Sequence, residues 1–444
     1  MRLFIAILVN KFITFLCKLL GKNGSQYPGC IVLDYIDKNI LDKVKYPDKV
    51  IAVTGSAGKG SCCRLVKHIL EDNGYSVALN ENGSNGIVGA TTMILNNCSL
   101  SGKFKKDILL LESDERHLKL IFNKKRPDYL VVLNITRDQP TRNGSPEEVY
   151  SDILKVANDK VHLIINADDP FVSSVKLKHK GKITTYGMEK MKDDITAPLL
   201  NNVDFLYCPK CGKKLEYKFF HYGHLGSYKC KNCDYSRGQV DYVATDIDLD
   251  KQNIKVNGID VYINRNVIYA GYASLASFTV TSVLGIKNDD IARSLNENKV
   301  SNVLEKEYSY KGRKFILLET KNENNLSYFQ GCNYIAKQKG KKSVILGFER
   351  VSKRYKDTDL SWLYDINFEL LNDDNIDKIM IFGRFRYDIA LRLEYAGIDL
   401  KRIIFVDDTK DLVETAINNS KGDIYTMIWY DSEMLVIDTI KGGE

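Results

Sequence analysis

The chain has 444 residues, 44% hydrophobic and 27% charged, with 64 Lys and Arg against 57 Asp and Glu for a net charge of +7. That length and apolar content exclude a disordered chain and suit two or three domains with their own cores. The positive excess is mild, which fits contact with phosphates or anionic surfaces, and no basic tract interleaved with aromatics supports a nucleic-acid partner.

Met1 to Leu20 reads as one helix. Lys11 and Lys18 interrupt its apolar run and no small-residue cleavage site follows, which argues against both a membrane span and a signal peptide. Arg2, Asn10, Lys11, Thr14 and Lys18 can be partly segregated from the Leu, Ile and Phe face. Two placements stand: in a membrane interface as a peripheral contact, or packed on the main body. Residues 1–46 are taken as an amino-terminal helical segment.

Ile51 to Ser61, I-A-V-T-G-S-A-G-K-G-S, is an apolar strand that stops at Gly55 and passes into a helix over Cys62 to Leu70. It reads as a phosphate-binding loop: Gly55 and Gly58 let the backbone bend, N–H groups converge on an anion, and Lys59 adds charge at a helix N-terminus. The spacing departs from the Walker pattern, with two residues between the glycines and Gly60 in place of the hydroxyl after the lysine. Ser61 is the hydroxyl within reach. The short form T-G-x-x-G-K is typical of Mur ligases.

Strands are expected at Ile108 to Leu111, Tyr129 to Leu133 and Val161 to Ile165, with a helix over Ser145 to Asn158. Alternation of this kind predicts a parallel sheet with helices on both faces and ligands at the carboxyl ends of its strands. Polar clusters stand at those ends: Glu112 and Glu115; Asn134, Arg137, Asp138 and Gln139; Asn166, Asp168 and Asp169. Together with the loop they predict a nucleotide site, in which a carboxylate can hold Mg²⁺.

Ten cysteines split into two groups. Cys17, Cys30, Cys62, Cys63, Cys98 and Cys332 are scattered, whereas Cys208, Cys211, Cys230 and Cys233 form two C-x-x-C pairs. That is the pattern of a ribbon holding one structural Zn²⁺ in a reducing cytoplasm. Four thiolates complete the shell, which leaves His221 and His224 as surface or packing residues. The ribbon, about 204–240, is inserted in a central domain of 47–300.

The last part, 301–444, reads as a second α/β domain. Strands are expected at Phe315 to Leu318, Ser343 to Leu346, Lys378 to Phe382 and Arg402 to Val406, and a helix at Arg384 to Ala396 that ends at Gly397.

The order T-G-x-x-G-K, L-E-S-D-E, L-N-I-T-R-D-Q, I-N-A-D-D-P-F-V, the four-cysteine ribbon and D-T-D-L-S-W-L-Y-D resembles the MurT family, the Mur-ligase-like subunits of lipid II isoglutaminyl synthase. The resemblance implies an α/β fold: a Mur-ligase-type central domain with a P-loop-like parallel sheet and an inserted four-cysteine zinc ribbon, then a Rossmann-like C-terminal domain. It implies a two-subunit ligase using ATP and Mg²⁺, working in the cytoplasm either free or at the inner face of the membrane. A GatD-type glutamine amidotransferase partner releases ammonia, and the α-carboxyl of D-glutamate in lipid II, or a related peptidoglycan precursor, is amidated through an acyl phosphate.

Residue by residue, the resemblance puts Gly55, Gly58, Lys59, Glu112, Asn134, Arg137, Asp138, Asn166, Asp168 and Asp169 at the nucleotide and its metal, with Ser61 as the hydroxyl able to stand in for the one missing after Lys59. It makes Asp359 the acid that orients the partner's catalytic histidine, with Asp357 and Asp365 as neighbours able to compete. Departures from the family pattern fall at Ala57 and Gly60, at Ala270 and Ala273, at Asn302 to Glu305, and at Gly347-Phe348. They keep a second function class open: a divergent paralogue with weakened or lost ligase activity, acting as a scaffold for a glutaminase partner.

Overall fold

The computed structural model describes residues 1–80, 83–138, 144–197, 206–297, 305–320, 323–350 and 359–442; Gln139, Asp357 and the stretch 302–304 lie outside them. Contacts divide the chain into two compact units. Met1–Thr136, Pro146–Pro198 and Asp204–Ser301 form the first, and Arg137–Ser145, Leu199–Val203 and Asn302–Glu444 the second.

The first unit is built on a nine-stranded sheet. Its strands are β1 (Lys49–Thr54), β2 (Val77–Leu79), β3 (Ile108–Glu112), β4 (Tyr129–Val132), β5 (His162–Asn166), β6 (Ile183–Met188), β9 (Tyr242–Asp248), β10 (Asn253–Val256) and β11 (Ile259–Tyr262). The spatial order is β11-β10-β9-β6-β5-β4-β1-β3-β2, parallel from β2 to β9 and antiparallel at β9-β10-β11. A strand covered on both faces needs apolar side chains on both, which is why V-I-A-V and I-L-L-L read as unbroken runs. Val50, Ala52, Leu109, Leu111, Leu130 and Leu163 share one core with helix Ile87–Asn96 and the buried residues Ala6 and Ile7 of the amino-terminal helix. On the other side the helix Lys59–Asp72 packs against Ile268–Val283, a helix apolar nearly all round, and Ser277 Oγ donates to the Cys62 carbonyl at 3.2 Å.

The ribbon hairpin, β7 (Leu215–Tyr222) paired with β8 (Leu225–Cys230), stands outside that sheet. Hydrogen bonds fasten it to the turn after β5. Gly226 N donates to Asp168 O at 2.9 Å, Tyr228 OH to Ala167 O at 3.1 Å, and Tyr235 OH to Pro170 O.

The second unit has a six-stranded sheet of β12 (Glu305–Tyr310), β13 (Arg313–Glu319), β14 (Lys342–Gly347), β15 (Ile376–Phe382), β16 (Ile403–Val406) and β17 (Asp423–Ile428), in the order β12-β13-β17-β14-β15-β16. Only β12 runs antiparallel to its neighbour. Alternate residues feed two cores. Ile316, Val344, Ile379 and Met427 face one that contains Trp362, while Phe315, Ile345, Met380 and Ile424 face the other. The helix Arg386–Tyr395 stops where expected, with Gly397 at φ +83° just beyond its cap. The α/β architecture is thus the one expected, with a nearly parallel sheet in each unit.

Candidate phosphate-binding site

β1 lies between β3 and β4: the chain leaves β1 for β2 on one side of the sheet, returns through β3, and then crosses over β1 to β4 on the other side. The end of such a strand is the switch point at which open α/β sheets leave a crevice for a ligand. Gly55 to Gly58 occupy that point and lead into the helix Lys59–Asp72. Both glycines have left-handed backbone, φ +139° at Gly55 and +86° at Gly58, and a Cβ on Gly55 would meet the Asn134 N and O atoms at 3.0 Å each.

The neighbouring strand ends clamp this loop. Ala57 N donates to Asn134 Oδ1 at 2.9 Å, Asn134 Nδ2 returns a bond to Ala57 O at 3.0 Å, and Ser56 N donates to Asn134 O at 3.0 Å. Ser56 Oγ donates to Thr136 O and accepts from Thr136 N, at 3.0 and 2.9 Å. Asn134 therefore shapes the loop through its amide.

Lys59 turns its ammonium inward. Nζ lies 2.8 Å from Glu115 Oε1 and also donates to Gly55 O, while Gly55 N donates to the same carboxylate oxygen at 3.0 Å. Glu115 is buried, and that burial pushes its carboxyl above the usual range against the opposing pull of Lys59. Glu112 points at the first helical turn: a Cβ on Gly60 would stand 3.3 Å from Glu112 Oε2 and 3.4 Å from Arg64 Nη1. The chemistry brought together is an anion-shaped loop, two cations, Lys59 and Arg64, and two carboxylates, suited to a phosphate with a divalent ion.

Asn166, Asp168 and Asp169 stand at the end of β5 and are buried. Asn166 Oδ1 accepts from Asp168 N at 3.0 Å. Asp168 takes Arg237 Nε at 2.5 Å on one oxygen, and Met188 N at 2.7 Å and Tyr272 OH at 2.8 Å on the other. Asp169 caps the short helix Pro170–Ser173 and accepts from Ile135 N at 2.9 Å. Their carboxylates are thus committed to protein donors, and the residues that complete this network, Arg237 and Tyr272, carry no local sequence signal. Arg137 and Asp138 belong to the second unit. There Arg137 Nη1 pairs with Asp365 Oδ2 at 3.1 Å, and Asp138 Oδ1 accepts from Asn324 Nδ2 at 2.7 Å.

The Sγ atoms of Cys208, Cys211, Cys230 and Cys233 all lie within 4.8 Å of one another, with Cys208 to Cys233 at 3.6 Å and Cys211 to Cys230 at 3.5 Å. Four thiolates about 2.3 Å from a tetrahedral zinc stand roughly 3.8 Å apart, so the set fits that ion. Lys210 N and Asn232 N each donate to the cysteine two residues earlier, at 3.4 Å, and the Lys213 amide helps draw the Cys211 thiol down to about 6. His221 is held by Asp194 Oδ1 at 2.7 Å and His224 lies 3.3 Å from Asp169 Oδ1, both buried, which makes them packing residues as expected.

Asp359 Oδ1 accepts from Ser361 N at 2.8 Å at the start of the 3-10 turn Ser361–Asp365. Of the positions that depart from the family pattern, Ala270 and Ala273 are each 2% exposed within helix Ile268–Val283, and Phe348 is buried beside Trp362, ring centroids 5.5 Å apart.

Residues 53–233 match the Mur ligase middle domain. The fold agrees: a pseudomurein peptide ligase type C from Methanothermus fervidus superposes with a TM-score of 0.66 at 21% identity, over 92% of this chain and 81% of that one. The fold is therefore that of the Mur ligases. Residues 320–432 match the MurT ligase C-terminal domain. The chain is 28% identical over 421 residues to the lipid II isoglutaminyl synthase (glutamine-hydrolyzing) subunit MurT of Staphylococcus aureus (strain COL), covering 94% of this chain and 93% of that protein. It is 26% identical over 432 residues to the corresponding subunit of Streptococcus pneumoniae (strain ATCC BAA-255 / R6), covering 96% and 94%. Along nearly its whole length the chain is thus similar to MurT subunits.

Proposed function

We propose that this chain is the ATP-consuming subunit of a glutamine-dependent ligase that amidates the α-carboxyl of D-glutamate in the stem peptide of lipid II. The reading is carried by one observation, a phosphate loop with an inward-facing lysine at the switch strand of a Mur ligase sheet, on a chain with MurT relatives along nearly all its length. A GatD-type amidotransferase supplies ammonia.

The loop N–H groups and the N-terminus of helix Lys59–Asp72 hold the nucleotide phosphates, and Lys59 exchanges Glu115 for the γ-phosphate. Asn134, Asp168 and Asp169 fix the strand ends around it. A carboxylate oxygen of the substrate attacks the γ-phosphorus, and the bond to the bridging oxygen breaks with release of ADP. The ammonia nitrogen then attacks the acyl carbon, phosphate leaves, and the nitrogen sheds a proton. Mg²⁺, when bound, would neutralise phosphate charge, and Glu112 with Ser61 would be the side chains to hold it. The ribbon cysteines hold zinc as a closed, structural site.

Gly60 favours the second reading, the scaffold, because it leaves no hydroxyl directly after Lys59, where a side chain would stand beside Glu112 and Arg64. Calorimetric titration with a non-hydrolysable ATP analogue separates the two. The ligase reading expects binding that Lys59→Ala abolishes, and a flat trace for the parent at millimolar nucleotide leaves only the scaffold.

A further inference from the structure

The helix Arg2–Leu19 buries its narrow side and shows its broad one. At 100° per residue Ala6, Ile7, Asn10 and Thr14 share a face, and that face meets the body. Asn10 Nδ2 donates to Thr92 O at 3.1 Å and to Asn96 Oδ1 at 2.9 Å, and Ala6, Ile7 and Asn10 are buried. The opposite face carries Phe4, Leu8, Phe12, Phe15 and Leu19, exposed at 47, 51, 60, 58 and 67%. A soluble helix is ordinarily turned the other way, with its apolar stripe inward. Among the described residues no helix is long and apolar enough to cross a membrane.

We propose that this outward face lies in the interfacial layer of a bilayer rich in anionic lipid. Charge complementarity selects that occupant. The first thirty-three residues contain no Asp or Glu, and they include Arg2, Lys11, Lys18 and Lys22. By the same angular count Lys11 and Lys18 line one border of the apolar face and Arg2 the other, the arrangement in which cations meet headgroups while Phe and Leu enter the acyl boundary. Lys105 adds to the positive field beside Lys11. Tyr27 and Tyr35, 62 and 80% exposed, belong to the two short helical segments packed on this helix, and amphipathic rings of this kind settle at the headgroup level. A second copy fits less well, since self-complementary pairing of two such faces would set their lysine borders together with no acid between them. The inference stands apart from the ligase reading: a chain that binds vesicles without binding nucleotide keeps this and loses that.

The test is flotation of the full chain with phosphatidylcholine vesicles, with and without phosphatidylglycerol. The parent is expected to float with the anionic vesicles and to release at high salt. Phe12→Glu combined with Phe15→Glu is expected to bind at least tenfold more weakly with its thermal midpoint and nucleotide affinity unchanged. Tryptophan placed by Phe12→Trp should shift its emission to the blue on those vesicles. Equal flotation of parent and double variant, or none by either, overturns the proposal. So does a concentration-dependent dimer that the double variant dissociates, which would give the face to a second copy.

Discussion

Asp168 offers water no oxygen: a guanidinium, a backbone amide and a phenol take both. Its backbone carbonyl also accepts from the ribbon at Gly226 N, 2.9 Å away, so one residue ties the end of β5 to three other parts of the first unit. Asp168→Asn keeps the shape but leaves the buried Arg237 guanidinium without its balancing charge. Removing one member of a buried ion pair costs about 3–5 kcal/mol. Denaturant unfolding should show a loss of that order, and a loss under about 1 kcal/mol would mean that Glu189, 3.0 Å from Arg237 Nη1, balances the charge alone. The sequence marks Asp168 as polar after a strand, and a polar residue there reads as a ligand. What it hides is the partner: Arg237 and Tyr272 lie 69 and 104 residues away, and no spacing rule links them. The same holds for Lys59 and Glu115, 56 residues apart, whose pairing sets the direction of the loop lysine.

Elements are legible where their pattern is local. The phosphate-loop strand ends on glycines that its backbone angles require, and the four cysteines converge because a chelating ribbon needs that spacing. β9 to β11 escape the sequence reading although Asn257-Gly258 turns the hairpin with φ of +48° and +87°, the primed turn that an N-G pair favours. β17 is a central strand that comes late in the chain, and its place between β13 and β14 is set by long-range pairing alone. Zinc removal tests the ribbon as an element. Metal analysis should give about one zinc per chain, and Cys208→Ser should lower both zinc content and thermal stability, since binding energy at such a site is folding energy. A variant with no zinc and parental stability would remove the metal from the fold. β5 offers a second test at its first residue, His162, whose Nε2 lies 2.9 Å from Thr184 Oγ1. Burial, helped by Lys182 and His179, holds its imidazole down at about 4. The unfolded chain protonates near the ordinary value of about 6.5. Between those limits the unfolded state binds the extra proton, so stability is full above about 6.5 and falls as pH drops towards 4. Over that range the denaturation midpoint of His162→Gln should fall less than the parent's, and parallel slopes would show that this ring does not titrate with folding.

At the scale of the whole molecule the proposed function divides the chemistry between the two units: the first carries the phosphate loop, the second a carboxylate for another chain. Asp359 is suited to that use by what stands under it. The turn that follows is anchored by Trp362, 1% exposed, between Tyr328 and Phe348, with ring centroids 5.3 and 5.5 Å away. Arg392 secures it from below, donating to Leu363 O at 3.2 Å and Ile366 O at 2.7 Å. Asp365, close in sequence, is paired with Arg137 and 10% exposed at its side chain, which leaves Asp359 the better placed of the two. A Cys-His pair needs a third group to fix the imidazole tautomer and balance its charge, and an amidotransferase without one can take it from its partner. Asp359→Asn should therefore leave folding and complex formation intact and cut glutamine hydrolysis by the partner by about two or more orders of magnitude, because the amide cannot balance an imidazolium. Asp365→Asn should instead weaken the second unit and spare hydrolysis. If Asp359→Asn hydrolyses glutamine at the parental rate while Asp365→Asn does not, the role passes to Asp365. If both match the parent, neither of these carboxylates completes the partner's site.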